Sequence, residues 1–437
     1  MTGKTIHPGT RHGIVVPPAS KSFVHRLLVL AAAGKTPVRL LFDGLSDDIE
    51  ATVRCLGALG AAFGTGEGFL DVHPAPALSV SEEVSLACGE SASTLRFLLP
   101  FAAVKGIPAA FSMEGRLPDR PIRPLTDTLE KNGARIRVQS GVLHLSGKLC
   151  PGEYALPGSV SSQFLTGLLL ALPLLPGDST VTVRGRLESE DYIRITEKTL
   201  LLAGIRYESE QRGEGPAAVR VFRLPGGQCP RLPAEVTVEK DWTAAANFLV
   251  MGAFSKEGIT VRGLDPSSVQ GDRKILEILK DFNAQVEVLP SGDIRVRAGL
   301  TAFPDNGAGR LYRDIDAAMI PDLMPILSVL AALTPGETRI SGAARLRLKE
   351  TDRLMTATAL LNSLGTEVRE LPDGLLIRGK ARLSGGTVPV CHDHRIAMAA
   401  AVSAVLSALP VTIPDAGCVG KSYPAFFEDF DRLEIER

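Results

Sequence analysis

Six stretches of the chain repeat one arrangement of polar and apolar positions. Each starts with a short polar cluster, continues as an apolar run rich in Ala and Leu, and ends near Gly or Pro. They read SKSFVHRLLVLAAAG from Ser20, SASTLRFLLPFAAVKG from Ser91, SSQFLTGLLLALPLLPG from Ser161, DWTAAANFLVMGAFSKEG from Asp241, DLMPILSVLAALTPGE from Asp322 and DHRIAMAAAVSAVLSALP from Asp393. The spacings between these starts are 71, 70, 80, 81 and 71 residues. Ser and Asp are favoured N-caps because a side-chain oxygen can accept a bond from an orphan backbone N–H. A helix apolar on nearly every side is a buried one, so six buried helices are predicted. Between them runs a second pattern with an apolar stripe and a polar face: IEATVRCLGALGAAF, PIRPLTDTLEKNGARI, YIRITEKTLLLAGIRY, RKILEILKDFNAQV and RLMTATALLNSLGTEV. These reach Gly60, Gly133, Gly204, Asn283 and Gly365 at one offset, and Gly and Asn tolerate the left-handed backbone that closes a helix. Alternating stretches such as GVLHLSG, DIRVRA and GLLIRGK then read as strands. Each unit thus holds two helices, one buried and one half-exposed, and several strands.

The units sort by their opening residue, three with Ser and three with Asp. That split predicts two similar domains of three units. The first spans residues 20–238, and the second comprises 1–19 plus 239–437. The sixth unit ends early, in FFEDFDRLEIER, and the strand-like N-terminal piece HGIVV is expected to complete it.

At 437 residues, with 45% hydrophobic and 22% charged positions, the chain can bury most of its apolar surface, which excludes intrinsic disorder. Lys and Arg number 48 against 49 Asp and Glu, a balance that argues against nucleic acid or a polybasic membrane surface. Aromatics at 5% leave no rows of stacking platforms. Six scattered cysteines without a C-x-x-C pair suit neither a disulfide scaffold nor structural zinc. The N-terminus lacks a signal-peptide core, and apolar runs break before membrane-spanning length, so a soluble cytoplasmic protein is expected.

If the buried helices lie parallel, their N-termini converge on one face of each domain, where partial positive charge and free N–H donors attract anions. Cations accompany those starts: Lys21, Arg26, Arg96 and Arg395, with Arg120, Lys349, Arg353 and Lys421 in connecting loops. Guanidinium groups grip phosphate or carboxylate with two bonds, and Lys supplies a point charge. Asp322 and Glu350 in the same setting supply groups for proton transfer. Asp241 and Asp393 read equally well as caps. Gly34-Lys35-Thr36 and Gly420-Lys421-Ser422 are not nucleotide loops, because the earlier glycine is Val29 in one and Asp415 in the other. His392-Asp393-His394 has no partner cluster, and no metal is expected.

These residues resemble the 3-phosphoshikimate 1-carboxyvinyltransferase (5-enolpyruvylshikimate-3-phosphate synthase) family of enolpyruvyl transferases essentially end to end. The resemblance is carried by PPASKSFVHR, SDD, DRPI, GSVSSQFLTG, ESEDYI, IPD, LKETDR, DHRIAMA and GKSYP, in that order. It implies an inverted two-domain α/β fold, each domain built of three βαβαββ-type units with buried parallel helices and the N-terminal strand in the C-terminal domain. It implies transfer of enolpyruvate from phosphoenolpyruvate to the 5-hydroxyl of shikimate 3-phosphate, with release of phosphate and without cofactor, metal or covalent intermediate. Matched by motif, Lys21, Ser22, Arg26, Ser161, Ser162, Gln163, Ser189, Asp322 and Lys349 would hold shikimate 3-phosphate. Lys21, Arg120, Gln163, Arg353, Arg395 and Lys421, with backbone near Ala92, would hold phosphoenolpyruvate. Asp322 would take the 5-hydroxyl proton, Glu350, assisted by Lys349, would exchange protons with the enolpyruvyl methylene, and Lys21 would join these three as a catalytic residue. The chain departs from the familiar pattern at Glu90 and Ala92, where asparagine and glycine are usual, and at Arg345, in place of an asparagine. A methyl at Ala92 is expected to penalise the longer inhibitor glyphosate more than the substrate. Two rival readings are a transferase of enolpyruvate to UDP-N-acetylglucosamine and a non-catalytic anion binder. The loop MEGRLPDRPI has no Cys, its Asp119 leaves open a sugar transferase with Asp in that place, and LKETDR and SVSSQF favour shikimate 3-phosphate. Small-molecule partners only, a monomer and domain closure on binding complete the expectation.

Overall fold

The computed structural model describes residues 3–74, 82–213, 215–299 and 312–436. The six apolar runs form the helices Lys21–Ala33, Ala92–Lys105, Ser162–Ala171, Trp242–Gly252, Met324–Ala332 and His394–Ser403, and nearly every side chain in them is buried. Each large aliphatic side chain withdrawn from water in this way contributes about 1.5–3 kcal/mol. Ser91, Ser161, Asp241 and Asp393 cap their helices, accepting from the backbone N–H of Thr94, Gln163, Ala244 and Arg395. Two of the expected caps differ. The Ser20 side chain makes no capping bond. Asp322 lies in a 3-10 turn, Pro321–Leu323, ahead of its helix, because its carboxylate is drawn into ion pairs. Gly167 lets two buried helices approach closely: a Cβ there would sit 2.2 Å from the Arg96 carbonyl oxygen.

The second pattern forms the half-exposed helices Asp47–Ala58, Arg123–Lys131, Glu190–Leu202, Ile275–Asp281 and Arg353–Ser363. All five residues foreseen as closing these helices have positive φ, from 62° at Asn283 to 107° at Gly133.

The second unit shows the full βαβαββ order. Val84–Ala87 pairs in parallel with Ala109–Ser112, which pairs antiparallel with Val142–Gly147, itself antiparallel to Ala134–Gln139. The third and fifth units repeat this order. In the first and fourth the parallel edge strand is exchanged. Glu235–Thr237, just ahead of the fourth buried helix, pairs with Val38–Leu41 of the first unit. Arg11–Val15, just ahead of the first buried helix, pairs with Ile259–Val261 of the fourth. The expectation that HGIVV completes the sixth unit holds only for that unit's last strand: Arg11 and His12 pair antiparallel with Ile435 and Glu434 of FFEDFDRLEIER, while the strand as a whole lies in the fourth sheet. The fourth sheet has lost its own upstream strand to the first, and Arg11–Val15 fills that edge. The sixth sheet is completed instead by Lys4–Ile6, antiparallel to Val411–Ile413, with Ile6 buried.

The chain divides into two compact units, residues 19–238 and residues 1–18 with 239–437. Among the described residues no helix is long and apolar enough to cross a membrane.

Candidate active site

In residues 19–238 Lys21, Ser22, Ala92, Ser161, Ser162 and Gln163 lie at the starts of buried helices, while Ser189 precedes a half-exposed helix and Arg120 lies in a loop. Lys21 is the first residue of its helix, and its ammonium donates to Asp48 at 2.5 Å. Ser22 follows, its carbonyl oxygen accepting from Arg26 at 2.6 Å. Arg26 is 2% exposed. Its other donors reach Thr196 Oγ1 at 2.8 Å, the Tyr192 carbonyl at 3.0 Å and Thr166 Oγ1 at 3.2 Å. Burial pushes Arg26 down to about 9, only partly offset by Tyr192, so it stays cationic at neutral pH among hydroxyls and carbonyls. A buried charge so placed gains from an incoming anion.

Arg96 joins the second and third units. It donates to Gln163 Oε1 at 2.7 Å, Ser161 Oγ at 3.4 Å and the Pro121 carbonyl at 2.8 Å. Gln163 in turn donates to Ser93 Oγ at 3.0 Å. Arg96 thus orients Gln163 and tethers the loop carrying the buried Arg120. Ser162 is buried in the first turn after Ser161. Ser189 sits at φ 54°, ψ 47° ahead of the helix Glu190–Leu202 and is 4% exposed. A non-glycine residue held left-handed in a buried position is a strain often found at ligand sites.

In residues 239–437 the site cations Lys349, Arg353 and Arg395 are matched with acid. Arg353 opens the helix Arg353–Ser363 and is 1% exposed. Its Nε donates to Asp393 Oδ2 at 2.9 Å, NH1 to Asp322 Oδ1 at 3.1 Å and NH2 to Glu350 Oε2 at 2.7 Å. Asp322 also pairs with Arg395 at 3.0 Å and Lys349 at 3.5 Å. Burial alone would raise the Asp322 pKa, but Arg395, Lys349 and Arg353 together hold it well below the usual carboxylate range. Asp393, wholly buried, is lowered likewise: burial opposes ionisation, and Arg353 and His394 overcome it. Lys421 ends the 3-10 turn Ala416–Lys421, which packs on the helix His394–Ser403.

The structure therefore brings Asp322, Lys349, Glu350, Arg353 and Arg395 into one ion-pair cluster, with Lys421 on a neighbouring turn. Lys21, Ser22, Arg26, Ser161, Ser162, Gln163, Ser189, Ala92 and Arg120 lie in the other unit. Several residues around them escaped the sequence reading. Asp48, partner of Lys21, stood in the quoted SDD without a role. Thr166 and Thr196, which hold Arg26, carry no local signal, since a threonine inside a helix looks like any other.

A sequence model of the family described as EPSP synthase (3-phosphoshikimate 1-carboxyvinyltransferase) matches residues 7–430. The 3-phosphoshikimate 1-carboxyvinyltransferase of Clostridium kluyveri is 40% identical over 431 residues, covering 98% of this chain and 96% of that protein. The chain belongs to the EPSP synthase family. The relative of the same name from Clostridium acetobutylicum is 37% identical over 98% of this chain and 96% of its own length. A solved EPSP synthase from Acinetobacter baumannii superposes over 100% of both chains with TM-score 0.77 at 24% identity, which speaks for the fold alone. So does the enolpyruvyl transferase NikO from Streptomyces tendae, with TM-score 0.70 at 18% identity over 99% of each chain.

The three departures from the familiar family pattern have clear surroundings. Glu90 lies against Gly115, where a Cβ would sit 2.1 Å from Glu90 Oε1 and φ is +54°, a backbone conformation that favours glycine. Ala92 is the first residue of its helix and is 6% exposed. Arg345 donates to the Ala318 carbonyl at 2.9 Å, bracing the segment that leads to Asp322.

Proposed function

We propose that this chain transfers the enolpyruvyl group of phosphoenolpyruvate to the 5-hydroxyl of shikimate 3-phosphate, releasing phosphate, on the route to chorismate and aromatic amino acids. One observation carries the reading. The three cations gripping Asp322, namely Lys349, Arg353 and Arg395, are those the family motifs assign to the substrates' phosphate and carboxylate groups. While they face Asp322, that carboxylate is a weak base. When substrate anions draw them away, each departing charge returns roughly 1–3 pK units to it. Base strength is thus tied to the arrival of the anions.

In the addition step C2 of the enolpyruvyl group bonds to the 5-oxygen, whose proton passes to Asp322, while C3 gains a proton. In the elimination step phosphate leaves C2 and C3 returns a proton. Glu350, assisted by Lys349, exchanges the protons at C3. Lys21, Ser22, Arg26, Ser161, Ser162, Gln163 and Ser189 hold shikimate 3-phosphate with Asp322 and Lys349. Lys21, Arg120, Gln163, Arg353, Arg395, Lys421 and backbone at Ala92 hold phosphoenolpyruvate. Fixed cations that face developing charge lower the barrier without reorganising at the moment of reaction. The reading has the chain working in the cytoplasm as a monomer, and Ala92 reducing its sensitivity to glyphosate.

The test is phosphate release from phosphoenolpyruvate with shikimate 3-phosphate, with UDP-N-acetylglucosamine, or with no acceptor. Release with shikimate 3-phosphate alone is expected. Release with the UDP-sugar, or none at all, overturns the reading.

A further inference from the structure

Asp272 is a carboxyl for which the reaction above has no use. It is 5% exposed and sits in the 3-10 turn Gly271–Lys274. One oxygen, Oδ2, accepts from the hydroxyl of Thr243, in the first turn of the helix Trp242–Gly252. The other, Oδ1, is buried and has no hydrogen-bond partner among the described residues. No Lys or Arg forms an ion pair with it there. Arg273 and Lys274 on its own turn are exposed, and Arg273 donates to the Pro266 carbonyl. The charges acting on it from neighbouring elements are Asp322 from its turn, Arg395 from the helix His394–Ser403 and Asp241 at the cap of the Trp242 helix. Two of those three are carboxylates. An enclosed carboxylate with one hydroxyl donor, no ion-pair partner and a bare oxygen is poorly solvated as an ion and well accommodated as a neutral acid.

We propose that Asp272 is a positioning residue that works in its protonated form, keeping its own charge out of the cluster so that Asp322 stays ionised and Asp272 does not compete with the substrate anion for Arg395. Burial first, then the charge of Asp322, push its pKa up to about 7, with Thr243 and Arg395 opposing. The ligand-free protein is then only partly protonated at Asp272 near neutrality. Binding phosphoenolpyruvate through Arg395 adds negative charge and removes a cation's influence, so Asp272 takes up the remaining proton. This second step rests on the functional reading above, and the first does not.

Infrared difference spectra of wild type against Asp272→Asn, without substrate, are expected to show a protonated-carboxyl band at pH 6 that fades by pH 8. Absence of the band overturns the proposal whatever the protein's reaction. Calorimetric titration of the protein, preloaded with shikimate 3-phosphate, with phosphoenolpyruvate in buffers of different ionisation enthalpy tests the coupling. Wild type should take up about half a proton more than Asp272→Asn at pH 7, and the same number at pH 5. Equal uptake at pH 7 overturns the coupling. The KM for phosphoenolpyruvate should rise more steeply in wild type than in the variant as pH passes 7, a split that simple loosening would not produce. If Asp272→Asn does not fold, Thr243→Val removes the donor that favours the ion. The midpoint of the infrared band should then move to higher pH, and an unmoved midpoint counts against the proposal.

Discussion

The two halves of the chain are built from one repeated unit, yet each treats its most buried arginine in the opposite way. In residues 19–238, Arg26 is buried among Thr166, Thr196 and two carbonyls. In residues 239–437, Arg353 is equally buried and contacts three carboxylates, Asp322, Glu350 and Asp393. A hydroxyl satisfies a guanidinium's hydrogens without cancelling its charge, so the first arrangement keeps a positive charge that attracts an anion. A carboxylate does cancel the charge, so the second arrangement stores acids in a form that only an incoming anion can release. On the proposed reading, the first half holds substrate, while the second half both holds substrate and moves the protons.

The largest effect expected to break this contrast comes from Asp322→Asn, which removes the acid and keeps its shape. Turnover should fall on the order of 10³-fold with an unchanged circular-dichroism spectrum. Near-normal turnover would remove Asp322 from the chemistry. Arg26→Met should leave the acid cluster alone and act on binding. Loss of charge-assisted hydrogen bonds costs about 1.5–3 kcal/mol, or roughly a 10- to 100-fold rise in KM for shikimate 3-phosphate. A lower kcat with unchanged KM would reverse the assignment of roles. Ala92→Gly sharpens the comparison within the first half. It should tighten glyphosate inhibition by about tenfold, the worth of one methyl group in a close-fitting pocket, and unchanged inhibition would reject the steric account.

The smallest effect concerns stability in acid. The folded pKa of Asp322 lies below its unfolded value, so its ion pairs contribute stability that is present above about pH 4 and lost as pH falls through the folded value. The difference in melting temperature between wild type and Asp322→Asn should therefore shrink below about pH 4. A constant difference would show that Asp322 stabilises the fold through something other than its charge.

Much of the fold could be read from periodicity. Gly60, Gly133, Gly204, Asn283 and Gly365 recur at one offset because each closes a helix in the left-handed region, a local demand that glycine or asparagine meets. The buried helices were legible for a similar reason, since an apolar run with a cap at its start needs no distant partner to announce itself. HGIVV was legible only in part, because strand propensity says that a segment pairs and leaves open with which neighbours. Arg11–Val15 joined the fourth sheet because that edge had lost its own strand. At the site, the basic residues were visible as a set, while Asp48, Thr166, Thr196 and Asp272 were not, because each matters only through a partner far along the chain.

The chain's own order of residues thus determined the repeat, the caps and turns, and the supply of cations and acids, all of which depend on neighbours within a helical turn or one repeat. The tertiary structure decided who pairs with whom. It took Asp322 away from the cap position and gave it to Lys349, Arg353 and Arg395, and it buried Arg26 among hydroxyls. Those choices follow from packing between segments scores to hundreds of residues apart, where burial multiplies the energy of each charge and makes its nearest partner decisive.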